Sequence, residues 1–320
     1  MVRPPLLIAL GATFAACAPG DPGKPELSDV PHISVNSLPP EALTDNGDAL
    51  AALAAGPLRG ATTDLVGSED GQKLLSYVVR CALAEGDTVS FASPDVDVEY
   101  TGLLGFATGW MSGAMDESAQ RLMTGCLMAH VNAFRIQVPI SVRTEAMGAA
   151  SPKEQKAFPA QELAAYGNFF VADPARRELH VCFGESVARA LGFGGGVGGG
   201  RPTYLDLRIC STSAQCGFNR VGACFRWPDM SDVVASACED RRGSFYASCH
   251  EKPIEQELTT AWEETVTVYL HQDDLDQLVE EYREQACSDE GPPGPLDGGP
   301  PGPLDGGPIP ATGCDVIIEN

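Results

Sequence analysis

Eleven cysteines in a chain of 320 residues constrain what it can fold into more than any other feature, and the first of them says where the others reside. The chain opens MVRPPLLIALGATFAAC. Arg3 supplies a positive start, Pro5 to Ala16 an apolar run, and Ala15-Ala16 the small residues that a signal peptidase accepts. This predicts an export signal over residues 1–16. The run is too short to span a bilayer, which takes ~20 apolar residues, and no later segment supplies one. If Cys17 is set aside, Cys81, Cys126, Cys182, Cys210, Cys216, Cys224, Cys238, Cys249, Cys287 and Cys314 remain, an even number. In an oxidising compartment they are disulfide candidates, five bridges at most, with a connectivity that spacing alone does not reveal.

Phe14-Ala15-Ala16-Cys17 resembles a bacterial lipobox, in which the cysteine is acylated and becomes the first residue of the mature chain; Phe14 stands where Leu is usual. Ala18 follows rather than the Asp that favours inner-membrane retention, so the expected location is the outer membrane, lipid-anchored on the periplasmic or surface face. The alternative is a secreted protein cut near Ala16. Removal of residues 1–16 takes away one base, Arg3, leaving 20 bases against 44 acids and a net charge of −24. Such a surface repels nucleic acid and anionic lipid, which excludes nucleic acid as a partner. Nearly half of that charge lies in residues 251–290, where 13 acids face 2 bases.

Residues 17–69 are rich in Pro, Gly, Ala, Asp and Ser, and read as a disordered tether on the anchor. Residues 291–306 are two copies of GPPGPLDG, whose eight-residue period breaks the every-third-glycine rule of collagen. With the tail to residue 320 they read as a stiff loop that a bridge between Cys287 and Cys314 would close. Between them, residues 70–290 are read as a single disulfide-stabilised α+β domain of mixed helices and short antiparallel strands. Asp70 is positioned to cap a helix running to Glu85 and stopped by Gly86, with Leu74, Leu75, Val78, Cys81 and Ala82 on one face. Asp116 is positioned to cap another, with Leu122, Met123, Cys126, Leu127, His130, Val131 and Phe134 at helical spacing. Both stripes carry a cysteine, which predicts a Cys81–Cys126 bridge between facing helices, and makes His130 a core residue. TVSFA, DVDVEY, IQVPISVR and TVTVYL alternate as strands, and a last helix starts at Asp273 with Leu275, Leu278, Val279 and Tyr282 inward.

Taken together, LLSYVVRCALAEGDTV, GLLGFATGW, CLMAHVNAFRIQVPISVR, AYGNFF, CGFNRVGAC and GSFYASCH resemble a group of uncharacterised exported, often lipid-anchored, cysteine-containing proteins of myxobacteria and relatives. The resemblance covers about residues 70–255, and NSLPPEALTDNG looks like an eroded form of the Asn- and Leu-rich repeats these proteins carry near their start. It implies an envelope or secreted location. It brings no catalytic residues.

Several stretches invite a chemical reading. In ELHVCFGESVARALG a strand meets Gly184-Glu185-Ser186-Val187-Ala188 and then a helix, which imitates the nucleophile elbow of a serine hydrolase; Ala188 stands where Gly is usual, and His250 or His271 would have to be the base. No upstream HGGG-type oxyanion segment accompanies it, so a structural strand end is preferred. Gly194, Gly196 and Gly199 match GxGxxG but follow a helical segment, and no GKS or GKT is present, so neither a dinucleotide site nor a P-loop is read here. Cys210, Cys216, Cys224, Cys238, Cys249 and His250 cluster, yet at spacings unlike the CxxC knuckles of structural zinc sites. Asp95, Asp97 and Glu99 alternate along one face of a strand and offer oxygens to calcium, although no DxDxDG loop is present. Tyr166, Phe169 and Phe170 are read as core, with an exposed aromatic binding patch as the alternative. The resulting expectation is a non-enzymatic surface or periplasmic binding or structural module without a cofactor, its partners the membrane through its lipid and an envelope protein or glycan. The alternatives are a serine hydrolase using Ser186 and His250, and a calcium-dependent module using Asp95, Asp97 and Glu99.

Overall fold

The computed structural model describes residues 33–92, 97–191, 203–210, 217–226, 236–239, 241–252 and 260–288. Strands run as β1 (Ile33–Asn36), β2 (Thr88–Phe91), β3 (Val98–Thr101), β4 (Val138–Arg143), β5 (Ala160–Asn168), β6 (Glu178–Phe183), β7 (Asn219–Ala223), β8 (Arg241–Arg242), β9 (Phe245–Tyr246), β10 (Cys249–His250), β11 (Ala261–Trp262) and β12 (Val266–Leu270). Helices run as α1 (Pro40–Thr44), α2 (Gly47–Ala54), α3 (Glu69–Ala82), α4 (Glu117–His130), α5 (Pro152–Ala157), α6 (Glu185–Ala190), α7 (Tyr204–Cys210) and α8 (Gln272–Ser288). The class is α+β, as read from the sequence. No helix among the described residues is long and apolar enough to cross a membrane.

Six strands form one sheet in the order β1-β4-β12-β5-β6-β7. Neighbours are antiparallel except β6 and β7. The late strand β12 is inserted between β4 and β5, and all five of its residues are buried. Helices cover one face of this sheet. On α3, Leu74, Leu75, Val78, Cys81 and Ala82 are fully buried, and on α4 so are Met123, Cys126, Leu127 and His130. The Cys81–Cys126 disulfide joins the two helices, with Cα atoms 6.1 Å apart. Gly125 lets α4 approach the sheet, because a Cβ there would lie 2.8 Å from Val266 Cγ2 and 2.9 Å from the Ala165 carbonyl. Asp116 caps α4 by accepting the Ala119 N–H at 2.8 Å. The cap of α3 differs from the expected Asp70: Ser68 Oγ accepts the Gly71 N–H, and Asp70 lies within the first turn, where its charge suits the helix dipole.

Part of the expected 17–69 tether is folded, and residues 17–32 lie outside the described residues. Residues 33–67 fold onto the domain: β1 pairs with β4, and Leu38, Leu43, Leu50, Leu53, Leu58 and Leu65 are buried in the helix-side core. The physical reason is that leucines spaced through an alanine-rich stretch build short helices whose small side chains allow close packing, so low bulk did not mean low burial. Asn36, in the expected repeat remnant, is also buried; its Oδ1 accepts from Asn132 Nδ2 at 3.1 Å and from the Val138 N–H at 3.2 Å.

The other face of the sheet is covered by disulfide-linked loops. Cys182–Cys224 ties β6 to the end of β7, and Cys238–Cys249 closes an eleven-residue separation. Their sulfurs meet, Cys182 Sγ to Cys238 Sγ at 3.6 Å, in a cluster with Ala164, Tyr166, Val221, Tyr246 and Trp262. Cys210 is disulfide-bonded as well. Cys17, Cys216 and Cys314, the side chain of Cys287, and the repeat at 291–306 lie outside the described residues.

One sheet irregularity places a charge in the core. The β12–β5 register moves from Val268↔Leu163 to Tyr269↔Gln161, so Glu162 is the extra residue of a bulge. Its side chain enters the helix layer. There Arg208 Nε donates to Glu162 Oε1 at 2.7 Å and Tyr204 Oη donates to the same oxygen at 2.8 Å. Arg208 also donates to the Val131 carbonyl. Both charges are fully buried.

Candidate functional site

Ser186 occupies the strand-to-helix turn that the sequence suggested, but its surroundings are structural. Its Oγ accepts the Gln161 N–H at 3.0 Å, at the start of β5. Gly184, which caps α6, is required by close approach, since a Cβ there would sit 2.5 Å from the Gln161 carbonyl. An elbow holds its serine in a strained backbone, whereas Arg135 is the one non-glycine residue with positive φ among those described. His250 lies on β10, where its Nε2 is 3.6 Å from Glu239 Oε1, and His271 packs its ring 4.0 Å from that of Phe158. Neither histidine is hydrogen-bonded to Ser186.

The cysteines considered for zinc are instead partners in disulfides wherever they are described. Asp97 and Glu99 are exposed beside and on β3 of the β2–β3 hairpin, while Val98 and Tyr100 on the same strand are half-buried; Asp95 lies outside the described residues. Tyr166, Phe169 and Phe170 are core residues, as expected.

The arrangement with the most chemical capacity lies where β6 meets the disulfide-linked loops. Alternation along β6 sends Leu179 and Val181 into the helix-side core and Glu178, His180 and Cys182 to the opposite face. His180 is 3% exposed, and neither ring nitrogen has a hydrogen-bond partner among the described residues. Its ring stacks on Tyr166, the cross-strand neighbour, with centroids 5.4 Å apart and planes 18° from parallel, and lies 5.8 Å from the Trp262 ring. Glu178 Oε2 is 3.8 Å from His180 Nε2, and a carboxylate oxygen of Glu251 completes a set of three donor atoms all within 4.8 Å of one another. Burial lowers the His180 pKa, keeping the ring neutral, and raises that of Glu178, helped by the like charge of Glu251. Tyr166 is pushed far above the ordinary phenol value by burial, and its hydroxyl donates to the His250 carbonyl at 2.7 Å.

His180 and Glu251 also line a cavity of about 380 Å³ with Asp206, Asn219, Arg220 and Lys252. Arg220 is held there by Asp206 at 2.6 Å. That volume falls within the range of small-molecule sites, roughly 300 to 1,000 Å³, and the lining is polar with charges of both signs. Sequence reading missed this group. The alternation of ELHVCF places Glu178 and His180 on one face, but Glu251 arrives from a separate loop, and no spacing announces it. No protein-family model, no curated protein and no solved structure matches this chain.

Proposed function

We propose that the protein is a non-enzymatic, disulfide-stapled binding module of the bacterial cell envelope, carried by a lipid on Cys17 and presenting the cavity beside β6 to a polar envelope ligand. One observation carries this reading: the loops on the sheet face opposite the helices are held by Cys182–Cys224 and Cys238–Cys249, bridges suited to an exported chain. The apolar run ending at Cys17 and the resemblance to exported myxobacterial proteins support it from the sequence. Two or more acyl chains give stable attachment where one alone is marginal. The engagement of Ser186 with the Gln161 N–H speaks against a hydrolase.

The test is the intact mass of the protein recovered from its own membrane, alkylated before and after reduction. A lipid-sized increase on a chain beginning at Cys17, with no thiol labelled until reduction, is expected. A lipid-free chain with free thiols would overturn the assignment. In parallel, a fluorophosphonate probe is expected to leave the folded protein unlabelled; labelling lost in Ser186→Ala would establish the hydrolase instead.

A further inference from the structure

We propose that Glu178, His180 and Glu251 form a site for a divalent first-row transition cation, zinc being the natural probe, at the edge of the polar cavity. This site is independent of the lipid anchor. His180 is a buried imidazole with both nitrogens unpartnered among the described residues, which is a costly arrangement unless the ring has a task. Stacking on Tyr166 fixes the plane of that ring, so its lone pair has a set direction. Two carboxylates converge on it, and a divalent cation would offset the mutual repulsion of their charges.

The donor atoms are close enough for side-chain rotation to complete a site. Metal bonds of about 2.0 to 2.2 Å in a tetrahedral arrangement place ligand atoms about 3.3 to 3.6 Å apart. The His180 to Glu178 separation is 3.8 Å, and the remaining pairs, all within 4.8 Å, have to close by about 1.5 Å at most, a movement within reach of a glutamate side chain. The set of one nitrogen and two oxygens suits zinc or its first-row neighbours, whereas calcium prefers six or more oxygens. Three protein ligands leave a position open, as in sites that keep a water or bind a ligand atom. Because His180 and Glu251 line the cavity, an open position there would meet a ligand occupying it.

The experiment is calorimetric titration of zinc into the full-length oxidised protein after chelator treatment, with thiol assay confirming that no cysteine is free. One zinc per chain is expected, with a rise in melting temperature, and calcium at millimolar concentration is expected to give neither. His180→Phe keeps the stacked ring without its nitrogens and is expected to abolish binding. If that variant fails to fold, Glu251→Gln, on a half-buried loop, carries the test, with an affinity loss of at least ~10-fold. No zinc binding by the unaltered protein, equal binding by the variants, or an equal response to calcium would each overturn the site. None of these outcomes bears on the mass measurement that tests the envelope reading.

Discussion

His130 makes the stability of this protein depend on pH in a window that can be stated in advance. The ring is fully buried against the Cys81–Cys126 bridge, 3.9 Å from both sulfurs and 5.0 Å from the Tyr77 ring. Its Nδ1 donates to the Cys126 carbonyl at 2.7 Å, and Nε2 has no hydrogen-bond partner among the described residues. Burial lowers its pKa from 6.5 to about 4; the carbonyl contact opposes this, and the charges of Arg80 and Arg208 add to it. A folded value below the unfolded one means that the unfolded chain takes up the proton first. The associated stability is therefore complete above pH 6.5 and is lost as pH falls toward 4. At about 1.4 kcal/mol for each tenfold difference in proton affinity, the loss reaches about 2 kcal/mol at pH 5 and about 3 kcal/mol at pH 4. The perturbation is His130→Asn, whose amide can replace the Nδ1 donor and does not titrate. Urea unfolding of both proteins at pH 7, 6, 5 and 4 isolates the effect, because the acidic residues contribute nearly equally to each. The variant should begin less stable at pH 7, through lost ring packing, and the gap should close by about 3 kcal/mol by pH 4. Parallel stability curves between pH 7 and 4 would refute the reasoning.

Two further outcomes are expected from the covalent and ionic ties. Replacing Cys81 and Cys126 by alanine should lower stability by about 4 kcal/mol for a separation of 45 residues, and replacing Cys238 and Cys249 by about 3 kcal/mol for a separation of 11; denaturant unfolding within 1 kcal/mol of the parent would count against the chain-entropy account. Arg208→Met strands Glu162 in the core and should cost about 3 to 5 kcal/mol, whereas Arg208→Met with Glu162→Leu should recover most of it, as read by melting temperature; a double variant no better than the single one would contradict this.

How much of this was legible in the sequence follows from the range of each interaction. The stripes of α3, α4 and α8 were legible because a period near 3.6 is written in neighbouring residues, and the Asp116 cap was equally local. The Cys81–Cys126 bridge was legible because both cysteines sit on apolar stripes that had to face inward. The N-terminal segment was misjudged because alanine and leucine over residues 38–65 bury surface only when a core is present to receive them. Ser68 displaced Asp70 as the cap of α3 because either short oxygen-bearing side chain can serve, and only the backbone path chooses between them.

The sequence by itself determined the local and the chemical: strands and helices of high periodicity, an acidic surface, and cysteines in numbers that call for oxidation. Tertiary structure alone decided that β12 enters between β4 and β5, about a hundred residues after the strand it joins, because strand pairing is a choice among edges that local pattern does not encode. It alone decided that Glu162 leaves the ladder at a bulge to meet Arg208, and that Glu251 comes to Glu178 and His180. Those meetings join residues 46 or more positions apart, and their energies exist only after the chain has closed on itself.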